Sequence, residues 1–481
     1  MSDRSGRDRS KDMVRRWLPL ALIAAMLSNG CAGPGEPVES EGEATPEPGG
    51  YSVPVVYHKL DNGLKVVVSR DDTAPVATVG VYYNVGLRTE PRGLTGFAHL
   101  FEHMMFQGTE QLGKGKLDKL IQGNGGIMQG QTKPDMTLYY EVVPANMLEP
   151  VLWAEADRMS RLDITQENLD NQRDVVKNEY RLKIENQPYS RFLSVELSDH
   201  AFENWQNGHN FWGDMDDLDA STVEAAQDFY ETYYAPSNAA LVVVGDVDPD
   251  ATIAAVEKYF GHIPARERPA MPDLTEPRQD AEKRDTFLDP LAPQPMLAFA
   301  YHAPPPDSSD YLAMQLISLI LLQGSDSQLY QRLVTERGYS SFVGGGVNLQ
   351  GGAFDAVGPV LFAGYLIHDV DLDPEVIVDD IDDVFADFKS TLVDSKTLER
   401  ALLKFRSGFY ETQGGSFGIG RANLLADFAL FHDDPSRINR IEAEMLGITP
   451  EQIQRVAREY LRPTNRTLLF LEPGAAARTQ P

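Results

Sequence analysis

Cysteine is all but missing. Cys31 is the only one in 481 residues, so no disulfide can form within the chain and the fold rests on its core. Positive charge is scarce: 43 lysines and arginines face 72 aspartates and glutamates, a net charge of −29. Nucleic acid and anionic lipid are bound by surfaces rich in Lys and Arg, so neither is expected as a partner; the plain meaning of the acidity is solubility. The apolar run at residues 17–27 is too short to span a bilayer as a helix. What the chain does have is 42% hydrophobic residues, enough to fill globular cores, and a length that suggests two to four domains.

The start runs against the acidic trend. Arg4, Arg7, Arg9, Lys11, Arg15 and Arg16 precede the apolar run, the pattern of a basic region ahead of a signal-peptide core, with Met13 as an alternative start. Ser28-Asn29-Gly30-Cys31 follows. A lone cysteine behind a signal core and a small residue resembles the lipobox of bacterial lipoproteins, with Leu27 one place further from the cysteine than usual. Residues 1–30 are therefore expected to be a signal peptide and Cys31 to carry a lipid anchor. Residues 31–50, rich in Gly, Pro and Glu, are expected to be a disordered tether. Ala32 and Gly33 put no acidic residue after the cysteine, which points to the outer membrane; a periplasmic or secreted protein is the alternative.

The folded part is expected from residue 51. Residues 53–56 and 64–69 are β-rich runs on either side of Asn62-Gly63, a hairpin signal because both turn residues tolerate positive φ. Residues 76–84, 138–143 and 239–244 read as strands; 97–106, 144–162, 167–185, 223–234 and 249–260 read as helices. Residues 266–286 are rich in Pro and charge and read as a linker. The grammar then begins again, with strands at 295–301, 342–348, 356–367 and 467–471 and helices at 311–322, 328–337, 374–392, 396–410 and 450–461. The two halves share their order of elements, so the fold class is α+β in two homologous domains, 51–265 and 287–475, from an internal duplication.

His99-Leu100-Phe101-Glu102-His103 carries the chemistry. At 3.6 residues per turn His99, Glu102 and His103 share one helix face. Two imidazoles one turn apart can reach one tetrahedral metal ion, and Glu102 between them is placed to hold a water there and take its proton. The bland alternative is a pair of core histidines beside a salt-bridged glutamate. Phe97, Ala98, Leu100, Phe101, Met104, Met105 and Phe106 count against it, because a buried His-Glu-His cluster without a metal leaves polar atoms unsatisfied. The order H-x-x-E-H is that of the inverted zinc peptidases, and two histidines leave a third ligand to find.

The segment Gly96-Phe97-Ala98-His99-Leu100-Phe101-Glu102-His103-Met104-Met105-Phe106-Gln107-Gly108-Thr109 resembles the pitrilysin/insulinase (M16) family of zinc metallopeptidases, and within it the short bacterial members similar to the mitochondrial processing peptidase. Leu60-Asp61-Asn62-Gly63, Gly125-Gly126, residues 135–140 and Gln187-Pro188-Tyr189 carry the likeness along nearly the whole mature chain. The resemblance implies domains built on mainly antiparallel sheets packed with helices. It implies a third ligand from a glutamate in a Val-Val-x-x-Glu setting, which Val175-Val176-Lys177-Asn178-Glu179 supplies. The implied set is one zinc ion on His99, His103 and Glu179, with Glu102 as general base. Three places depart from the family. Gln129-Gly130 stand where relatives have Asn-Ala on the edge strand that pairs with substrate, Gln172 replaces a glutamate seven positions before the third ligand, and Ser327-Gln328-Leu329 replace Ser-Arg-Leu. Relatives also use an Arg and a Tyr from a C-terminal domain to grip substrate; Tyr330, Arg332 and Tyr339 are the candidates.

The implied activity is endopeptidase cleavage of peptides or unfolded segments inside a clam-like chamber closed by four domains. That requires a homodimer or a heterodimer with another M16 chain. The alternatives are a zinc-bearing subunit that needs its partner, and a peptide-binding lipoprotein without turnover.

Overall fold

The computed structural model describes residues 52–474. The signal peptide, Cys31 and the tether expected at 1–50 lie outside the described residues. No helix among the described residues is long and apolar enough to cross a membrane.

The first half is built on six strands: β1 (Val56–Lys59), β2 (Lys65–Arg70), β3 (Val76–Tyr83), β4 (Ile127–Thr132), β5 (Thr137–Pro144) and β6 (Ala239–Gly245). They lie in the order β1-β2-β6-β3-β5-β4, antiparallel except for the parallel pair β2–β6. The second half holds β7 (Lys283–Asp289), β8 (Met296–His302), β9 (Gly344–Val347), β10 (Leu361–Ile367) and β11 (Arg466–Pro473), ordered β7-β11-β8-β10-β9. Its one parallel pair is again the crossover pair, β7–β11. The second sheet thus repeats β2-β6-β3-β5-β4 strand for strand, and β1 is the addition. Each half is an α+β layer structure on a mainly antiparallel sheet.

Strand β6 shows why the halves are inseparable. All seven of its residues are buried, and a strand buried on both faces reads as a continuous apolar run. Leu241 and Val243 point into a core with Val66, Val68, Val79 and Val81. Ala240, Val242 and Val244 point the other way, into a core shared with the second half. The element that covers this second face is a helix at Ile419–His432. Polar anchors fix it there: Tyr82 donates to Asn423 Oδ1 at 2.8 Å, Lys65 Nζ donates to the Ala429 carbonyl at 2.7 Å, and Arg421 pairs with Asp71 at 2.9 Å.

Several local readings change, and the strand expected at 356–367 begins only at Leu361. The first hairpin forms, but its opening strand is 56–59 rather than 53–56. The side chain of Asn439 takes Val53 instead, accepting from its N–H at 2.8 Å and donating to its carbonyl at 2.9 Å. Asn62 sits inside a longer loop, where its amide donates to the carbonyls of Phe260 and Ile263 at 2.8 and 3.0 Å. The charged stretch Lys283–Asp289 is strand β7, so the last residues of the segment read as a linker belong to the second sheet. As an edge strand it has no need of alternating apolar residues.

Candidate active site

Helix α1 (Phe97–Met104) follows β3 and packs against helix α2 (Gln166–Tyr180). Its apolar face, Phe97, Leu100, Phe101 and Met104, is fully buried. Tyr139 on β5 donates its hydroxyl to the Phe101 carbonyl at 3.1 Å. The helix start is tied down from a distance. Glu90, wholly buried, accepts the backbone N–H groups of Gly96 and Ala98 at 2.8 and 2.6 Å. Gly96 begins the helix at φ 85°, and Gly213 lies so close that a Cβ there would come within 2.5 Å of the Gly96 Cα. Burial pushes the Glu90 carboxyl up to about 8, against the pull of those two N–H bonds.

With α1 fixed, His99 and His103 project toward Glu179 on α2, and Glu102 beside them meets β4. His103 Nε2 lies 3.3 Å and His99 Nε2 lies 3.7 Å from Glu179 Oε2. The two imidazole rings are 5.0 Å apart and nearly perpendicular. The side chains of His99, His103 and Glu179 are 10%, 20% and 21% exposed, open enough to meet a ligand and closed enough to hold it dry. Burial, then the neighbouring His103, lowers His99 to about 4, so its imidazole is neutral and free to donate a lone pair. Burial opposes ionisation of Glu179, yet the hydrogen bond with His103 and the hydrogen bond and charge of Lys183 hold it at about 2.

This donor set fits a zinc ion. Ligand atoms about 2.0–2.1 Å from a tetrahedral ion lie roughly 3.3–3.4 Å from one another, close to the spacing observed. Two imidazoles and one carboxylate are the ligand types zinc takes. Their ligand atoms all lie within 4.8 Å of one another.

Glu102 stands beside this cluster. Thr132, the last residue of β4, donates its hydroxyl to Glu102 Oε2 at 2.7 Å. Burial raises the Glu102 carboxyl, with the Thr132 bond and His103 pulling the other way. Strand β4 is the outer strand of its sheet, and its exposure alternates along its length. Gln129 is exposed and accepts from the Tyr140 hydroxyl at 3.5 Å. Gly130 faces inward, where a Cβ would come within 2.9 Å of Glu102 Cγ and 3.1 Å of Phe106. The strand therefore presses directly on the side chain of Glu102.

Other singled-out residues fall elsewhere. Gln172 is buried on α2 and donates to Asn171 Oδ1 at 2.7 Å. Arg332 pairs with Glu336 at 3.6 Å and Asp380 at 3.8 Å, and Arg337 pairs with Asp380 at 2.9 Å. Tyr339 also turns to Asp380, so these groups are engaged within the second half. Tyr330 opens the wide helical turn Tyr330–Glu336. Glu90, Thr132, Lys183 and Trp212 escaped the sequence reading. Each comes from a segment with no spacing relation to His99, and only the start Gly96-Phe97, with no capping side chain at Gly96, hinted that a distant acceptor was needed.

The class is now defined: two repeated α+β halves, the first carrying a His-x-x-Glu-His helix faced by a glutamate. Comparison with known proteins is consistent throughout. The model of the insulinase (M16) peptidases matches residues 65–213, and that of the peptidase M16 inactive domain matches residues 221–405. The zinc protease PqqE of Helicobacter pylori is 27% identical over 425 residues, covering 86% of this chain and 92% of that one. The mitochondrial-processing peptidase subunit beta of Lentinula edodes is 25% identical over 272 residues, 54% of this chain and 56% of that one. The crystal structure of a protease from Helicobacter pylori superposes with a TM-score of 0.81 at 26% identity, covering 88% of this chain and all of that one. The chain belongs to the M16 peptidase family.

Proposed function

We propose that the protein is a zinc-dependent endopeptidase acting on peptides or unfolded segments, with His99, His103 and Glu179 as ligands and Glu102 as general base. The observation that carries this reading is the convergence of the two Nε2 atoms and Glu179 Oε2 beside Glu102. A zinc ion held there supplies Lewis-acid polarisation of a carbonyl and acidifies a water. The chain's own residues do the rest. The outer edge of β4 offers main-chain groups to align an extended peptide, with Gln129 and Gly130 on that strand beside the reacting bond. Glu102 takes the proton of the attacking water and returns it to the departing amine nitrogen. Thr132 holds Oε2, which leaves Oε1 as the oxygen that carries the proton.

The test is cleavage of a quenched-fluorescent peptide library by the purified protein, with zinc assayed on the same sample. Turnover with about one zinc per chain is the expected result. Glu102→Gln should keep the zinc and lower kcat/KM by ~10³-fold; a rate that survives the change removes Glu102 from the role of base.

A second reading has its own observation. Arg332 and Tyr339, the candidates for gripping substrate, are both taken up around Asp380. That favours a second M16 chain, identical or different, as the source of these groups and of chamber closure. Zinc-loaded protein that gains turnover only with an added M16 partner would support it. In this reading the basic and apolar start of the chain exports it, with Cys31 as its lipid anchor.

A further inference from the structure

Glu179 offers the two histidines only one of its oxygens. Oε2 faces His103 and His99, while Oε1 is occupied by the ammonium of Lys183. The reach of Lys183 is set by a change in the backbone. Helix α2 ends at Tyr180, and the chain widens into the turn Arg181–Glu185, closed by the Asn186 N–H on the Arg181 carbonyl at 2.8 Å. Such wide turns recur at functional sites. The Lys183 ammonium also lies 5.8 Å from the centre of the Trp212 ring. That ring meets His99 at right angles, 5.7 Å between centres. Lys183, Trp212 and Glu179 thus form an arc around the two imidazoles. Lys183 is half exposed, and an exposed i,i+4 pair stabilises a helix by only about 0.3–0.5 kcal/mol, so fold stability gives little reason for its placement.

We propose that Lys183 is a positioning residue that restricts Glu179 to a single ligating oxygen and draws charge away from it, so that the site gives up metal affinity for a more electrophilic ion. The inference rests on the zinc reading above. A carboxylate already bonded to an ammonium has less charge to donate, and a cation beside a dication repels it. Losing Lys183 should therefore strengthen metal binding.

The experiment measures the zinc dissociation constant by competition with a chromophoric chelator, for the wild-type chain, Lys183→Met, Lys183→Gln and Lys183→Arg. Lys183→Met and Lys183→Gln should bind zinc about tenfold more tightly, the usual scale of outer-shell effects. Lys183→Arg, which keeps the charge, should stay near wild type. With a peptide substrate, kcat of the two neutral variants should fall while KM holds. A purely structural ion pair would leave affinity unchanged or weaken it, and either result in the neutral variants overturns the inference. A wild-type chain that takes up no zinc overturns the zinc reading and this inference with it. A zinc-binding wild type whose neutral variants are no tighter overturns the inference alone.

Discussion

The two halves of this chain are one frame used twice, and they differ where the chemistry would be. In the first half β3 leads to α1, then to β4 and β5. In the second, β8 leads to helix α3 (Ser309–Leu321), then to β9 and β10. Gln107-Gly108-Thr109 after α1 and Gln323-Gly324-Ser325 after α3 bring the two into step. In that alignment His99 corresponds to Gln315, Glu102 to Ser318, His103 to Leu319 and Gly130 to Gly346. Gln323 donates to the Ser318 hydroxyl at 2.9 Å, and α3 is otherwise packed with Leu, Ile, Ala and Met. A helix in this position needs no polar cluster to fold. The polar face of α1 is therefore a burden on the first half, since buried imidazoles and carboxylates are stable only with partners.

The most forceful way to break the contrast is to write the second half's residue into the first. His99→Gln should leave the fold intact while zinc content falls to near zero and hydrolysis falls to background, read by metal assay and peptide turnover. A loss of activity with zinc still bound at full content would show that His99 is no ligand. Next in size is Gly130→Ala. The new Cβ would press on Glu102 Cγ from 2.9 Å. A shift of about 1 Å in a reacting group can reduce rate by ~10²-fold, so a drop in kcat of about tenfold is expected, with zinc content and KM little changed. Gly346→Ala in the second half should leave kcat unaltered, and an equal loss from both changes would mean that the effect is not local to Glu102.

The smallest effect concerns Glu90, which holds the start of α1. Burial raises its folded-state carboxyl from 4.5 to about 8. The folded chain thus binds this proton more tightly than the unfolded chain. The resulting stability is complete below about 4.5 and is lost as pH rises through about 8. Glu90→Gln keeps a neutral side chain at every pH. Between about pH 5 and about pH 8 its melting temperature should fall less than that of wild type, by roughly 2–4 °C. Parallel curves for the two proteins would show that Glu90 does not titrate in this window.

How much of this was legible in the sequence depends on how local each signal is. His99, Glu102 and His103 share one helical turn, so their spacing alone marked them as a candidate site. Glu179 lies on a different helix and became visible only through the family likeness. Thr132, Glu90 and Lys183 carry no motif, because each is defined by the side chain it meets after folding. The strands were legible where apolar residues alternate or run together, as in β3 and β6. The helix at Ile419–His432 went unread for the opposite reason. It is buried between the halves on most of its surface, so Leu424, Leu425, Phe428 and Leu430 show no polar stripe to mark a period. Strand β7, exposed and charged, lacked the apolar pattern that marks a strand.

That unread helix has a consequence for how the protein can be taken apart. Its residues come from the C-terminal segment, yet Tyr82, Lys65 and Asp71 of the N-terminal sheet hold it. Trimming the chain to its first half would strip one whole face of that sheet and leave Val67, Val242 and Val244 in water. The half that carries His99, His103 and Glu179 is therefore not a transplantable module: a truncated version is a recipe for insoluble material, and any engineered or minimised form has to carry the second half along as its lining.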